Sequence, residues 1–338
     1  MKIFGRRRSG DATRLPVTKP GPKRRMLLVV NPYASTVSDR LKNVVVYALQ
    51  SRYEITAIDT RERNHATEIV QSALEQDFDL VCAFGGDGTA NEVVNGLMSS
   101  DHGRDLPFTF LPGGLTNVIG RILGIPDDIV DATEHLLTLA DKFEPRKIDL
   151  GEANGRAFIF AAGAGLDADI VKKCEARPGL KRTFGQNWYA ATAVTTFVGR
   201  YLMRRARLRI ETTGADDVDL KTTGIVAIAQ NARPFTYFGE REIDLAPTAG
   251  LENRSLSLTV LNRANPLDFA PLVVRILSQK LAVSDNRHIK IDPAFAEAVV
   301  RPRKDGGQRV PLQVDGDYIG DFDEVRFRAL PGALTVIA

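Results

Sequence analysis

The stretch best suited to chemistry runs Gly85-Gly86-Asp87-Gly88-Thr89-Ala90-Asn91-Glu92. It follows the apolar run Asp79–Phe84 and leads into Val93, Val94 and Leu97 at helical spacing, so a buried strand turns here into a helix. The glycines let the backbone approach a ligand without a Cβ in the way. A helix start also offers N–H groups with no partner inside the helix, together with the positive end of the peptide dipole, and the two suit phosphate. Asp87 inside such a cradle makes sense if a divalent cation bridges it to phosphate, or if it handles a proton. The pattern is neither GxxxxGK followed by Ser or Thr nor GxGxxG, so it supports neither a P-loop nucleoside triphosphatase nor an ordinary dinucleotide fold.

A second acidic spot is Asp315-Gly316-Asp317. On residue type alone it reads two ways: a β-turn with Asp and Gly in their habitual places, or paired carboxylates of which one accepts a proton. The four histidines, His65, His102, His135 and His288, are scattered without metal-ligand spacing, and Ser–His–Asp chemistry has no support. Cys82 and Cys174 make neither a disulfide framework nor a metal set, which suits a reducing cytosol.

The elements that must position these groups fall into two grammars. Met26–Val30, Ile55–Asp59, Asp79–Phe84 and Phe108–Leu111 read as strands. Between them Leu41, Val44, Val45, Ala48 and Leu49 form one helical stripe, and Ile69, Val70, Ala73 and Leu74 another; Asp128–Asp141 reads as a closing helix. Strand–helix–strand at this spacing predicts a parallel sheet covered on both faces. After Pro145 the pattern changes. Asn154-Gly155 between Lys147–Ala153 and Arg156–Ala162 predicts a tight hairpin. Arg207–Thr212, Gly224–Gln230, Leu256–Leu261, Val310–Val314, Val325–Arg328 and Leu334–Ile337 read as further strands, with helices near Gln186–Arg205 and Leu267–Lys280. These predict a mostly antiparallel β-sandwich, with the boundary near residue 145.

The chain has 338 residues, 43% hydrophobic and 26% charged, which fits two ordinary globular domains. Its longest apolar runs, Ala193–Val198 and Leu267–Leu277, fall short of a membrane span. Residues 1–25 hold nine Lys or Arg against the single acid Asp11, a charge of +8 that leaves −5 for the rest of a chain whose net charge is +3. This stretch reads as a disordered basic arm, either a plain solvated tail or an attachment to an anionic surface worth about 1 kcal/mol per basic residue. In Gln186–Arg205, Trp188, Tyr189, Phe197 and Tyr201 share a helix with Arg200, Arg204 and Arg205. That helix either packs its aromatics on the sandwich or lies in a membrane interface, and packing is the simpler reading. No recognition motif accompanies the basic residues, so nucleic acid is not an expected partner.

Gly85–Thr89 followed by Asn91-Glu92-Val93-Val94-Asn95-Gly96 resembles the catalytic domain of the diacylglycerol kinase family, in particular its bacterial soluble lipid kinases. The Gly-Gly-Asp-Gly run is shared with NAD kinases and, more distantly, phosphofructokinases. The likeness runs from about Met26 to the end of the chain. Asn31-Pro32 is similar to the family's NP motif, and Thr60 before Asn64-His65-Ala66 matches a nucleotide-contacting threonine. Leu111–Asn117 resembles its LPxGTxND segment, Lys147–Gly151 and Gly163–Asp167 its next landmarks, and Asp315-Gly316-Asp317 its late DGE. Departures are Leu115 in place of a nucleotide-contacting Thr, Val118 in place of Asp, and Ala34-Ser35-Thr36 without the usual basic residue, although Arg40 is near. Leu245-Ala246-Pro247 matches the family's LAP, but Glu252-Asn253-Arg254 replaces an Asp-Asp-Gly loop that holds a structural Mg²⁺.

The resemblance implies an α/β N-terminal domain with a Rossmann-like parallel sheet (26–145) and a β-sandwich lipid-substrate domain (146–338). ATP and Mg²⁺ would be the cofactors, with ATP held by Asn31, Pro32, Thr60, Gly85, Gly86, Asp87, Gly88, Thr89, Ala90, Asn91, Glu92, Gly114 and Thr116; the metal ligands stay open. Asp87 would assist the metal or the transferred phosphoryl group, and Asp317, or Asp315 beside it, would accept the proton of a lipid hydroxyl in the interdomain cleft. The implied activity is phosphorylation of diacylglycerol or a related lipid, to phosphatidic acid or its equivalent. Alternatives are, in order, a sphingoid- or ceramide-type lipid kinase, an NAD kinase, and a catalytically weak lipid- or nucleotide-binding regulator. A cytoplasmic protein in peripheral contact with an anionic membrane is expected, and a homodimer is compatible with it.

Overall fold

In this computed structural model residues 23–201, 207–214, 220–263, 275, 285–303 and 308–338 are described. Met26–Val30 is buried along its whole length, as a central parallel strand requires, and it belongs to β1 (Arg24–Val30). There follow α1 (Asp39–Leu49), β2 (Tyr53–Asp59), α2 (His65–Ala73), β3 (Leu80–Gly85), α3 (Asp87–Leu97), α4 (Asp101–Asp105), β4 (Phe108–Pro112), α5 (Val118–Leu123) and α6 (Ile129–Leu139). Ser38 and Asp128 cap α1 and α6 by accepting first-turn N–H groups. The strands pair in parallel in the order β2-β1-β3-β4. The chain leaves β1 toward β2 and then crosses back to β3, so the sheet's switch point lies between the C-terminal ends of β1 and β3. Open α/β sheets bind ligands in that crevice.

The remainder is antiparallel and strand-rich. It comprises β5 (Arg146–Ala153), β6 (Arg156–Phe158), β7 (Ala161–Gly165), α7 (Leu166–Glu175), α8 (Pro178–Thr196), β8 (Leu208–Gly214), β9 (Lys221–Gly224), β10 (Val226–Gln230), β11 (Thr236–Phe238), β12 (Arg241–Ile243), β13 (Leu256–Leu261), β14 (Ile289–Pro302), β15 (Val310–Val314), β16 (Asp317–Phe322) and β17 (Val325–Val336). One layer runs β16-β15-β7-β10-β13 and the other joins β8, β17, β5 and β6. The long strand β14 serves both, pairing with β13 through Ile289–Asp292 and with β8 and β17 through Glu297–Val300. Strands that change sheets in this way make the corners of a sandwich. Between the layers lies a core that includes Phe158, Ile210, Leu258, Phe295, Leu312 and Phe327.

Several expected boundaries move. Asn154 and Gly155 both have positive φ and turn β5 into β6 as the dipeptide predicted, but the second strand stops at Phe158 and resumes as β7. Val325–Arg328 and Leu334–Ile337, expected as two strands, are one: β17 passes through Pro331-Gly332 with a register shift between Leu330 and Leu334. Its end pairs in parallel with β4 through Val336 and Phe108, which welds the sandwich to the parallel sheet. Arg24 and Arg25, counted with the basic arm, open β1, where Arg24 lies 4.1 Å from the Phe143 ring. Residues 1–22, and 267–280 apart from Arg275, lie outside the described residues. Phe197 and Tyr201 are buried and Trp188 half-buried, as packing of that helix on the sandwich requires, whereas Tyr189 is exposed. Among the described residues no helix is long and apolar enough to cross a membrane.

Leu334 is fully buried where the two sheets join. Leu334→Ala should therefore lower the unfolding free energy by about 2–5 kcal/mol, read as a lower urea midpoint at unchanged slope.

Candidate active site

Four strand ends converge at the switch point. Asn31 follows β1, Thr60 follows β2, Gly85-Gly86 ends β3 and Gly113-Gly114 follows β4. Gly113 donates its N–H to the Gly85 carbonyl at 2.7 Å, and a Cβ on Gly114 would stand 2.8 Å from the Cα of Gly86. Only glycine permits two backbones this close. Gly86 caps α3 without a side-chain hydrogen bond, so the first-turn N–H groups of Asp87, Gly88 and Thr89 have no side-chain cap. Asn31 braces the loop by donating Nδ2 to Thr89 Oγ1 at 3.0 Å, while its Oδ1 accepts the Tyr33 N–H at 2.9 Å. Thr60 is buried and donates its N–H to Val30 at 2.7 Å; Pro32 stands half-buried in the turn after Asn31.

The late acidic turn meets this loop from the sandwich side. Asp315 and Gly316 take the two positive-φ positions of a hairpin turn between β15 and β16. The Asp317 carboxylate then lies over Gly88, so that a Cβ there would stand 3.0 Å from its Oδ2. Asp315 points the other way, into the protein. It accepts N–H groups from Ile159, Phe160 and Ala161 and from the Asn91 amide at 2.8–3.1 Å. Burial pushes its carboxyl up to about 6 against the pull of those donors. Asp315 therefore ties β6 and β7 together rather than facing the crevice.

The other acids divide in the same way. Asp87 turns its carboxyl inward, where Oδ1 accepts the Ile119 N–H at 2.9 Å. Burial pushes it up to about 6, opposed by the Ile119 and Val118 N–H groups and reinforced by Asp317 and Asp127. Glu92 accepts the N–H groups of Asn64 and Ala66 and so caps α2. Ala90 and Asn91 are buried, and the Asn91 Nδ2 also donates to the Ala157 carbonyl. Thr116 is half-buried; its neighbour Asn117 does the bracing, accepting the Gly114 N–H at 2.9 Å and donating to Asp127 at 2.8 Å. Residue type had singled out neither Arg63 nor Glu175. Arg63 donates to Glu175 at 3.0 Å and to the Tyr318 carbonyl at 3.0 Å, and sequence distance hides both contacts. A cleft of about 660 Å³ opens instead at the far end of α3, beside α4 and the β17 bulge. It contains none of these groups, and its Lys147–Asp105 and Arg104–Asp101 pairs are closed on themselves.

Residues 25–153 match the family model of the diacylglycerol kinase catalytic domain. That segment of the chain is similar to the catalytic domain of diacylglycerol kinases. A diacylglycerol kinase of Bacillus subtilis (strain 168) is 28% identical over 300 residues, covering 88% of this chain and 91% of its own. One from Staphylococcus carnosus is 25% identical over 302 residues, covering 89% and 90%. In fold, a diacylglycerol kinase structure from Bacillus anthracis str. Sterne superposes with a TM-score of 0.66 at 19% identity, covering 93% of this chain and 96% of that one. The likeness is thus to lipid kinases of diacylglycerol kinase type, a kinase class that implies ATP as the phosphate donor.

Two departures from the family pattern now have a physical description. Val118 is buried and serves Asp87 through its backbone N–H, whereas Leu115 is half-exposed at the rim. In the 252–254 loop the donors do not suit a cation. Both oxygens of Asp149 are taken, by the N–H groups of Arg254 at 2.5 Å and Gly332 at 2.7 Å. Asn253 donates to the Thr248 carbonyl at 2.6 Å and Glu252 pairs with Arg146 at 2.6 Å. The loop is held by these hydrogen bonds and the Glu252–Arg146 pair.

Asp167 is a third buried acid, pushed up to about 6 by burial although Gln313 donates to it. With a folded-state value above the unfolded one, it favours the folded state below about pH 4, and that contribution is lost as pH rises through 6. Asp167→Asn removes the titration. Its stability relative to the wild type should rise by up to about 3 kcal/mol between pH 4 and pH 7, measured by urea denaturation at both.

Proposed function

We propose that this protein is a lipid kinase that uses ATP and Mg²⁺ to phosphorylate the hydroxyl of diacylglycerol or a related long-chain lipid. The reaction would take place in the crevice between α3 and β16. The observation that carries this reading is the Asp317 carboxylate set over Gly88, opposite the bare start of α3. In this account residues 26–145 bind the nucleotide and 146–338 present the lipid.

The residues present fit a triphosphate. The start of α3 carries no side chain at Gly86 or Gly88, and positive helix ends suit phosphate. Asn31 holds Thr89, and Asn117 holds Gly114, which braces the loop on both sides. ATP, when bound, supplies the phosphoryl group, and Mg²⁺ neutralises charge on its oxygens. Among the described residues no group of three or more His, Cys, Asp or Glu could hold a metal. The magnesium reading therefore rests on Asp87 and Asp317 acting together with phosphate oxygens, the usual arrangement for this ion.

Asp317 accepts the proton of the lipid hydroxyl as its oxygen forms the new bond to phosphorus and the bond to the leaving diphosphate breaks. Asp87 keeps one oxygen on the Ile119 N–H and feels the charge of Asp317, so these two acids would be the side chains to share Mg²⁺ with the phosphates. Asn91, Glu92 and Asp315 act at one remove, by fixing α3 to α2 and to β6. A lipid hydroxyl has to be met at a bilayer surface, so peripheral membrane contact belongs to the same reading.

Transfer of labelled γ-phosphate from ATP, with diacylglycerol micelles and NAD offered in parallel, tests the proposal. Label should enter the lipid only when Mg²⁺ is present. Asp317→Asn should lower kcat about 100- to 10,000-fold, and Asp87→Asn should abolish the magnesium-dependent rate. Label in NAD, or an Asp317→Asn variant with the wild-type rate, would overturn it.

A further inference from the structure

Asp317 is placed through its chain neighbour. β16 is the edge strand of its layer, so backbone groups on its outer side have no further strand to pair with. At Tyr318 both are nevertheless caught. Its N–H donates to Glu175 Oε1 at 2.7 Å and its carbonyl accepts from Arg63 at 3.0 Å. A third contact, Arg63 to Glu175 Oε2 at 3.0 Å, closes the ring. Glu175 ends α7 on the sandwich side, whereas Arg63 comes from the loop between β2 and α2, across the crevice.

The same loop is tied to the glycine helix. Asn64, next to Arg63, gives its N–H to Glu92 of α3 at 2.9 Å, and Ala66 gives its own to the other oxygen at 3.2 Å. The contacts therefore run in a circuit: from α3 through Glu92 to the Arg63 loop, from Arg63 to Tyr318, and from Asp317 back to Gly88. Burial works against the charge on Arg63, but Glu175, Asp317 and Glu92 outweigh it and hold the guanidinium more firmly charged.

We infer that Arg63 and Glu175 are positioning residues for phosphoryl transfer, clamping Tyr318 so that the Asp317 carboxylate keeps its register over the start of α3. The inference rests on the kinase reading above and adds to it two residues outside the recognised motifs. The Arg63 side chain is 51% exposed and that of Glu175 22%, so the ion pair adds little to folding. Its effect on chemistry is much larger, because misplacing a reacting group by about 1 Å can cost about 100-fold in rate.

The test compares Arg63→Gln, Glu175→Ala and the double variant with the wild type. Each single variant should lower kcat for lipid phosphorylation about 10- to 100-fold while KM for ATP stays within about two-fold. The double variant should be no slower than the slower single one, because the clamp acts as a unit. Arg63→Lys should recover part of the rate. Amide hydrogen exchange at Tyr318 should quicken in both single variants, with Tm nearly unchanged. An unaltered kcat, or unaltered exchange at Tyr318, would overturn the clamp. A wild-type chain that labels no lipid would instead overturn the kinase reading, and the exchange readout separates the two because it needs no substrate.

Discussion

Everything at the crevice depends on the close approach of two glycine pairs. Gly85-Gly86 and Gly113-Gly114 meet backbone to backbone, and no side chain fits between them. The contact fixes β3 against the loop after β4 and leaves the start of α3 without a side-chain cap. Helices are ordinarily capped by Ser, Thr, Asp or Asn, as Ser38 and Asp128 do for α1 and α6. At α3 the cap is a glycine with no side chain to offer, and in the proposed reading its first-turn N–H groups would receive phosphate.

The second constraint is the weld between the sheets. β17 carries the end of the chain out of the sandwich and into the parallel sheet, and Leu334, Val336 and Ile337 are buried there. This joins the element bearing Asp317 to the element bearing Gly88 through one framework. Buried acids then divide into those that hold the framework and those that face the crevice. Asp149, Asp167 and Asp315 are spent on backbone or amide donors inside the protein. Asp317 stands half-buried over the glycine loop.

How much of this could be read from the sequence depended on how local the cause was. The strands around Met26–Val30 and Leu256–Leu261 were plain because β-branched and aliphatic residues crowd together. The Asn154-Gly155 turn was plain because its two residues alone fix the conformation. β14 was missed: Pro293 interrupts its pattern, and its faces change role where it passes from one layer to the other. α7 was missed because Leu166–Glu175 follows a strand of Ala and Gly without a spacer. The glycine loop and the late acidic turn were visible as motifs. Which of Asp315 and Asp317 faces the crevice was not, since that follows from a turn geometry shared by both. Glu92 and Asn91 have the residue types of ligand contacts, but their hydrogen bonds are used within the fold. Arg63 gave no signal, because its partners lie 112 and 255 residues away.

The central claim is that the bare start of α3, facing Asp317, is where the phosphates of ATP are bound. A crystal structure with a non-hydrolysable ATP analogue and Mg²⁺ tests it most directly. The account predicts phosphate oxygens on the N–H groups of Gly88 and Thr89, with the Asp317 carboxylate facing the terminal phosphate. An analogue seated instead in the cleft beside α4 and the β17 bulge, with α3 left untouched, would contradict it.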